Sequence, residues 1–515
     1  MLVKTYSAAV TGLEATTVIV EVSFARGSQF HLTGLADTAV RESQDRIKAA
    51  LANTGFRFPV VDITANLAPA DIKKEGSGYD LPLAIAILAA DSKLNADHLG
   101  EYMLVGELGL DGRLLPVRGA LPIAIRARAE KFRGLIVPRQ NIREAAVVNN
   151  LEVYGMDSIS EVVSFLNGTS TIEPTIIDTR REFYEQQNEF EYDYADVRGQ
   201  ESVKRALEVA AAGGHNLIMI GPPGSGKSMM AKRLPSILPP LSLAESLETT
   251  QIHSIAGKLS RGVSLISQRP FRSPHHTISQ VALVGGGQNP QPGEISLAHN
   301  GVLFLDELPE FSRSVLEVMR QPLEDRRITV SRAKYTIEYP CSFMFVASMN
   351  PCPCGYYGDP THHCVCTPGQ INRYLSKISG PLLDRIDIHC EIQAVPFAQL
   401  SQMQPGEPSA NIRERVVAAR KIQEERFRPF KGIHCNAMMT EKMLHEFAEP
   451  DAASLDMLRT AMEKLKLSAR AYSRILKVAR TIADLEASPT VQSVHVAEAI
   501  GYRNLDRGDW AERGV

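Results

Sequence analysis

The sequence predicts a multidomain α/β protein: an α/β domain at the N-terminus, a three-layer phosphate-loop core in the middle and a helical domain at the C-terminus. Three observations carry this. Residues 221–228, GPPGSGKS, lie between an apolar run and a helix-forming segment. Residues 302–307, VLFLDE, are four apolar residues followed by two acids, and residues 342–347, SFMFVA, are a further apolar run. Short apolar runs of this kind read as buried strands of a parallel sheet. Beyond residue 410, apolar residues recur at helical spacing to the end of the periodic region.

Taken in order, residues 1–168 alternate short strands and helices. Residues 81–90 are the oiliest stretch; they are core-sized, well short of the roughly 18 residues a membrane span needs. Residues 169–194 are polar and acid-rich and read as a linker. The core runs over 195–395, and a Pro/Gln/Gly/Ser stretch at 402–410 lies near the start of the helical domain, 396–515. Within it, helices are expected at 412–427, 440–448, 451–465, 470–487 and 494–501. Residues 327–339 read as a β-hairpin just before the third apolar run.

Composition excludes little but bounds much. The 515 residues carry 56 Lys plus Arg against 59 Asp plus Glu, a formal charge of −3, so any nucleic-acid surface must be local. The opening residues have no signal-peptide layout. Seven cysteines, an odd number, fit reduced thiols and a cytoplasmic location without membrane contact.

The octapeptide fits G-x-x-x-x-G-K-[ST]. Triphosphate oxygens need many backbone N–H groups at once, which Gly221, Pro222, Pro223, Gly224, Ser225, Gly226, Lys227 and Ser228 would arrange as a cradle for ATP. Lys227 would reach the β- and γ-phosphates, and the Ser228 hydroxyl would hold Mg²⁺. Asp306 would be the second Mg²⁺ ligand, directly or through water, and Glu307 would orient and deprotonate the attacking water. Asn350, just past the third apolar run, would sense the γ-phosphate and place that water.

Residues 380–387, GPLLDRID, make the chain resemble the AAA+ ATPases, in particular their magnesium-chelatase and MCM helicase branch. The resemblance implies that Arg385 is an arginine finger offered to the ATP of a neighbouring subunit, and therefore a ring, a homo-hexamer. It also implies a second arginine on the γ-phosphate: Arg470, with Arg474 one turn on as the alternative. Cys352, Cys354, Cys364 and Cys366, paired as C-x-C on Pro/Gly turns, have the donor set of a structural Zn²⁺ site. Arg332 and Lys334 at the hairpin turn either grip DNA phosphates, as the resembled helicases imply, or are ordinary solvated charges.

Residues 105–119 resemble the catalytic domain of Lon proteases. By alignment the nucleophile's place falls on Gly78, Ser77 is one residue off register, and no lysine lies in 119–130, so the domain is expected to be non-proteolytic. With PGEISLAHNG at 292–301, the whole chain resembles the ComM/YifB proteins, implying an ATP-driven ring helicase that promotes branch migration of single-stranded or branched DNA in natural transformation and recombination. The alternatives are a chelatase-type motor remodelling a protein partner and an ATP-dependent Lon-like protease.

Overall fold

A computed structural model describes residues 2–260, 262–287, 290–332, 335–359, 362–393, 404–465 and 467–503. They form two compact units. The first joins the chain up to Gln186 with Leu243–Ser267; the second joins Gln187–Ser242 with the chain from Gln268 onward. Residues 243–267, which the sequence assigns to the ATPase core, therefore belong to the N-terminal unit. The helix Leu243–Ile255 packs on the helix Ala120–Ala129. The Ser254 hydroxyl donates to the Glu144 carboxylate at 2.6 Å, and its carbonyl accepts the Gly119 N–H. The stretch read as a linker carries a helix, Thr179–Gln186, with Phe183 buried.

The first unit is built on a seven-stranded mixed sheet. Its order is Phe30–Thr33, Asp62–Ala68, Glu14–Ala25, Leu2–Thr11, Tyr102–Leu104, Gly134–Pro138, Glu152–Met156. Leu2–Thr11 and Glu14–Ala25 form a hairpin closed by a two-residue turn, where Gly12 takes φ 60°. Every residue of the helix Asp80–Ala90 is buried, the outcome expected for the oiliest stretch of the chain.

The second unit holds a five-stranded parallel sheet in the order Phe271–Arg272, Val302–Leu305, Met344–Met349, Leu217–Ile220, Ile388–Glu391. The strand expected over 342–347 starts two residues later. Ser342 donates its N–H to His299, and pairing with Val302 begins only at Met344. The hairpin expected over 327–339 forms as Arg327–Arg332 paired with Tyr335–Pro340. Its turn includes Lys334, which lies outside the described residues, as does the side chain of Arg332.

The C-terminal helices are Ser409–Phe427, Glu441–Phe447, Ala452–Leu465, Ala469–Leu485 and Ser493–Gly501. One apolar cluster contains Leu217, Val346 and Ile388 of the sheet together with Val416, Ile475 and Ile482 of these helices. Each such fully buried aliphatic side chain contributes about 1.5–3 kcal/mol. The helices are therefore fixed to the sheet by a shared core as well as by the connecting chain.

Candidate nucleotide site and cysteine knuckle

The loop at 221–228 leaves the buried strand Leu217–Ile220 and enters the helix Lys227–Arg233. Gly224 and Gly226 take φ 74° and 92°, which turn successive N–H groups into the same concavity. Gly221 has no room for a side chain, because a Cβ there would lie 2.2 Å from the Ile392 carbonyl oxygen. The helix N-terminus adds its positive dipole end to the loop.

The charged groups predicted from the sequence converge here. Lys227 Nζ donates to the carbonyls of Gly221 (2.7 Å) and Pro222 (2.9 Å) and to Asn350 Oδ1 (3.2 Å). Burial lowers the Lys227 pKa from its usual value, opposed by the charges of Asp306 and Glu307. Ser228 donates its hydroxyl to Asp306 Oδ2 at 2.6 Å. Two oxygens so close, one a carboxylate, suit a hard divalent cation such as Mg²⁺. The other Asp306 oxygen accepts the hydroxyl of Ser348. Glu307 is left-handed at φ 55°, and its N–H goes to Asp306 Oδ1 (3.1 Å) and Ser348 Oγ (3.3 Å). A left-handed non-glycine residue costs of order 1 kcal/mol or more, and these bonds hold it there. His276 Nδ1 lies 3.9 Å from the Glu307 carboxylate, with its ring edge-on to Phe311.

The arginines lie elsewhere. Arg385 donates Nη1 to the Pro381 carbonyl at 2.7 Å and Nη2 to Glu324; its Nε is buried without a hydrogen-bond partner among the described residues. Arg470 pairs with Asp384 at 3.1 Å, and Arg474 with the buried Asp387 at 2.6 Å. A cavity of 430 Å³ is lined by Arg385, Arg470, Arg474 and Lys477 with Glu324 and Glu441. This group borders the N-terminal ends of the strands, since Arg385 precedes Ile388, which pairs with Leu217. The phosphate loop follows their C-terminal ends. A four-residue strand, roughly 13 Å long, separates the two.

The four cysteines form a cluster. Cys352 Sγ is 3.3 Å from Cys354 Sγ and 3.7 Å from Cys364 Sγ, and Cys354 to Cys364 is 3.6 Å. With Cys366, all four sulfurs lie within 4.8 Å of one another. A tetrahedron with Zn–S bonds of about 2.3 Å has edges of about 3.8 Å, so the donor set fits.

In the first unit, Ser77 donates its hydroxyl to Glu107. Lys73 pairs with Glu75, and Lys74 donates to the Pro69 carbonyl.

Sequence reasoning overlooked Ser348 and Glu324. Ser348 left a weak signal, a polar residue near the end of an otherwise apolar strand. Glu324 left none, because it acts on a residue distant in the chain.

A five-stranded parallel sheet with a phosphate loop after one strand, an acidic pair after the next strand but one and arginines at the far strand ends defines a core of the AAA+ type, here of the magnesium-chelatase-like kind. Three family models agree: magnesium chelatase subunit ChlI over residues 193–400, subunit ChlI of Mg-chelatase over 20–141, and the ChlI C-terminal model over 406–503. The competence protein ComM of Haemophilus influenzae is 44% identical over 504 residues, covering 98% of this chain and 97% of that protein. The uncharacterized protein YifB of Escherichia coli is 44% identical over 507 residues, with the same coverage. The chain belongs to the ComM/YifB family. Lon protease 2 of Bacillus subtilis is 31% identical over 159 residues, 28% of this chain and 27% of that protein. Among the described residues, no helix is long and apolar enough to cross a membrane.

Proposed function

We propose that this chain is an ATP-hydrolysing ring motor that acts on DNA and promotes branch migration during natural transformation and recombination. The observation that carries the ring is the separation of Arg385 and Arg470 from the subunit's own phosphate loop by the length of the sheet. Neither arginine serves the nucleotide of its own subunit; both are offered to a neighbour's, which makes hydrolysis an event between protomers. The natural number for such a ring is six, and its location is the cytoplasm.

At each interface Lys227 binds the β- and γ-phosphates, exchanging its carbonyl partners for phosphate oxygens. Ser228 and Asp306 hold Mg²⁺, which neutralises the triphosphate charge. Glu307 takes the proton of the attacking water, and Asn350, already on Lys227, orients that water. Arg385 from the next subunit leaves Glu324 and stabilises the charge of the transferring phosphoryl group, with Arg470 beside it. The four thiols hold a structural Zn²⁺. DNA is gripped by Arg332 and Lys334 of the hairpins through backbone phosphates, without reading sequence.

The name of the Haemophilus relative supports the DNA reading. A second reading, a chelatase-type motor working on a protein partner, is favoured by the three magnesium-chelatase family matches and by one relative. The magnesium-chelatase 38 kDa subunit of Chlorobaculum parvum is 22% identical over 229 residues. A protease reading finds little support, since the Ser77 hydroxyl meets the Glu107 carboxylate and not the lysine that Lon-type chemistry uses. ATPase assays with and without forked DNA separate the readings. DNA should stimulate turnover, and the Arg332→Ala/Lys334→Ala double variant should lose the stimulation while keeping basal turnover. Turnover indifferent to DNA in the wild type would sink the DNA reading, and peptide cleavage lost on Ser77→Ala would revive the protease.

A further inference from the structure

The chain leaving the strand Met344–Met349 passes through Asn350 directly into the cysteine knuckle. Asn350 already touches the phosphate-loop lysine. Two residues later Cys352 is wholly buried, and its carbonyl accepts the Gly355 N–H at 3.0 Å, closing the turn Cys352-Pro353-Cys354-Gly355. Gly355 is left-handed at φ 89°. A Cβ on it would fall 2.5 Å from Cδ and 2.8 Å from Cγ of Pro223 in the phosphate loop. Those atoms belong to a proline ring, which cannot swing aside as a flexible side chain would. The knuckle therefore meets the loop twice, once through Asn350 on Lys227 and once through Gly355 on Pro223.

We infer that the four-thiol knuckle braces the phosphate loop, with Gly355 as its positioning residue on Pro223, so that the state of the thiol cluster sets nucleotide affinity. This rests on the nucleotide site and metal knuckle proposed above. The physical reason is preorganisation. The loop's N–H groups bind phosphate well only if they are held converging beforehand, and a glycine–proline contact backed by a metal-clamped turn supplies a rigid wall. Thiols left unclamped let that wall move, and the loop then loses affinity by having to be ordered on binding.

The test uses the full chain, a fluorescent ATP analogue with Mg²⁺, and zinc content by elemental analysis. Gly355→Ala should weaken analogue binding about tenfold at wild-type zinc content, with a small fall in unfolding temperature because alanine is strained at this left-handed backbone. Pro223→Ala removes the ring that the new methyl strikes, so the Gly355→Ala/Pro223→Ala double variant should recover part of the loss relative to Pro223→Ala alone. Stripping zinc from the wild-type protein with a chelator should weaken binding in the same direction. Wild-type affinity in Gly355→Ala, or a loss that Pro223→Ala leaves untouched, would overturn the inference while the nucleotide site stands. A wild-type chain that binds no analogue at all would overturn the nucleotide site and this inference with it.

Discussion

Lys227 shows how one residue is held ready for the task proposed for it. Its ammonium is buried and satisfied by two loop carbonyls and the Asn350 amide, so it stands where phosphate oxygens would arrive. Lys227→Ala should abolish ATP turnover, with circular dichroism and unfolding temperature close to wild type; turnover that survives would remove this lysine from the chemistry. Lysine, serine and acidic pair were all legible in the sequence because phosphate chemistry demands those residue types at those spacings. Ser348 was not. Its hydroxyl matters only because the strand Met344–Met349 lies beside Val302–Leu305, which brings it to Asp306 and to the Glu307 N–H.

Among elements, the helix Ala469–Leu485 is the one whose role changed most between sequence and structure. Arg470 and Arg474 on it suggested a γ-phosphate sensor, but Arg474 is spent on Asp387 at the base of the strand Ile388–Glu391. Burial pushes the Asp387 carboxyl up, yet Arg474, His215 and Lys477 outweigh it and hold it far below the usual carboxylate range. His215 is pushed the other way by burial, so the Asp387–Arg474 pair carries the charge. A depressed carboxyl stabilises the fold above its ordinary pKa of about 3.9, and that contribution disappears as pH falls below it. Chemical denaturation from pH 7 down to pH 2 should therefore show stability falling below about pH 4, with a smaller fall in Asp387→Ala. That variant should also lose about 3 kcal/mol at neutral pH, because Arg474 is left without its buried partner. An identical acid limb in both proteins would show that the pair is not what fastens this helix to the sheet. The helix boundaries themselves were legible to within a few residues, since apolar periodicity and N-caps such as Ser468 are local signals.

For the whole molecule, the separation of phosphate loop and arginines is what the proposed ring assembly rests on. If each site is shared between protomers, two inactive proteins should complement each other. Arg385→Ala subunits keep an intact phosphate loop, and Lys227→Ala subunits keep an intact finger. Random one-to-one mixing would rebuild about a quarter of the interfaces, so a mixture should recover a measurable part of wild-type turnover. A mixture as inactive as its components would place the finger and the loop in one subunit's site. The division of the chain works at the same scale. Residues 243–267 leave the core's sequence and fold with the N-terminal residues, because Glu144 and the Gly119 N–H find their partners on Ser254. No composition shift marks that exchange.

The sequence by itself determined the class of chemistry, the parallel strands, the C-terminal helices and the four-thiol donor set, because each is written in spacing between near neighbours. Only the tertiary structure decided which arginines lie at the strand ends opposite the phosphate loop, which serine steadies Asp306, and that a glycine of the cysteine turn rests on the phosphate loop. These depend on strand order and on contacts between residues from about 40 to more than 120 positions apart. Periodicity and motif spacing act over a turn or two of chain, so they carry no information about which strand end faces which loop.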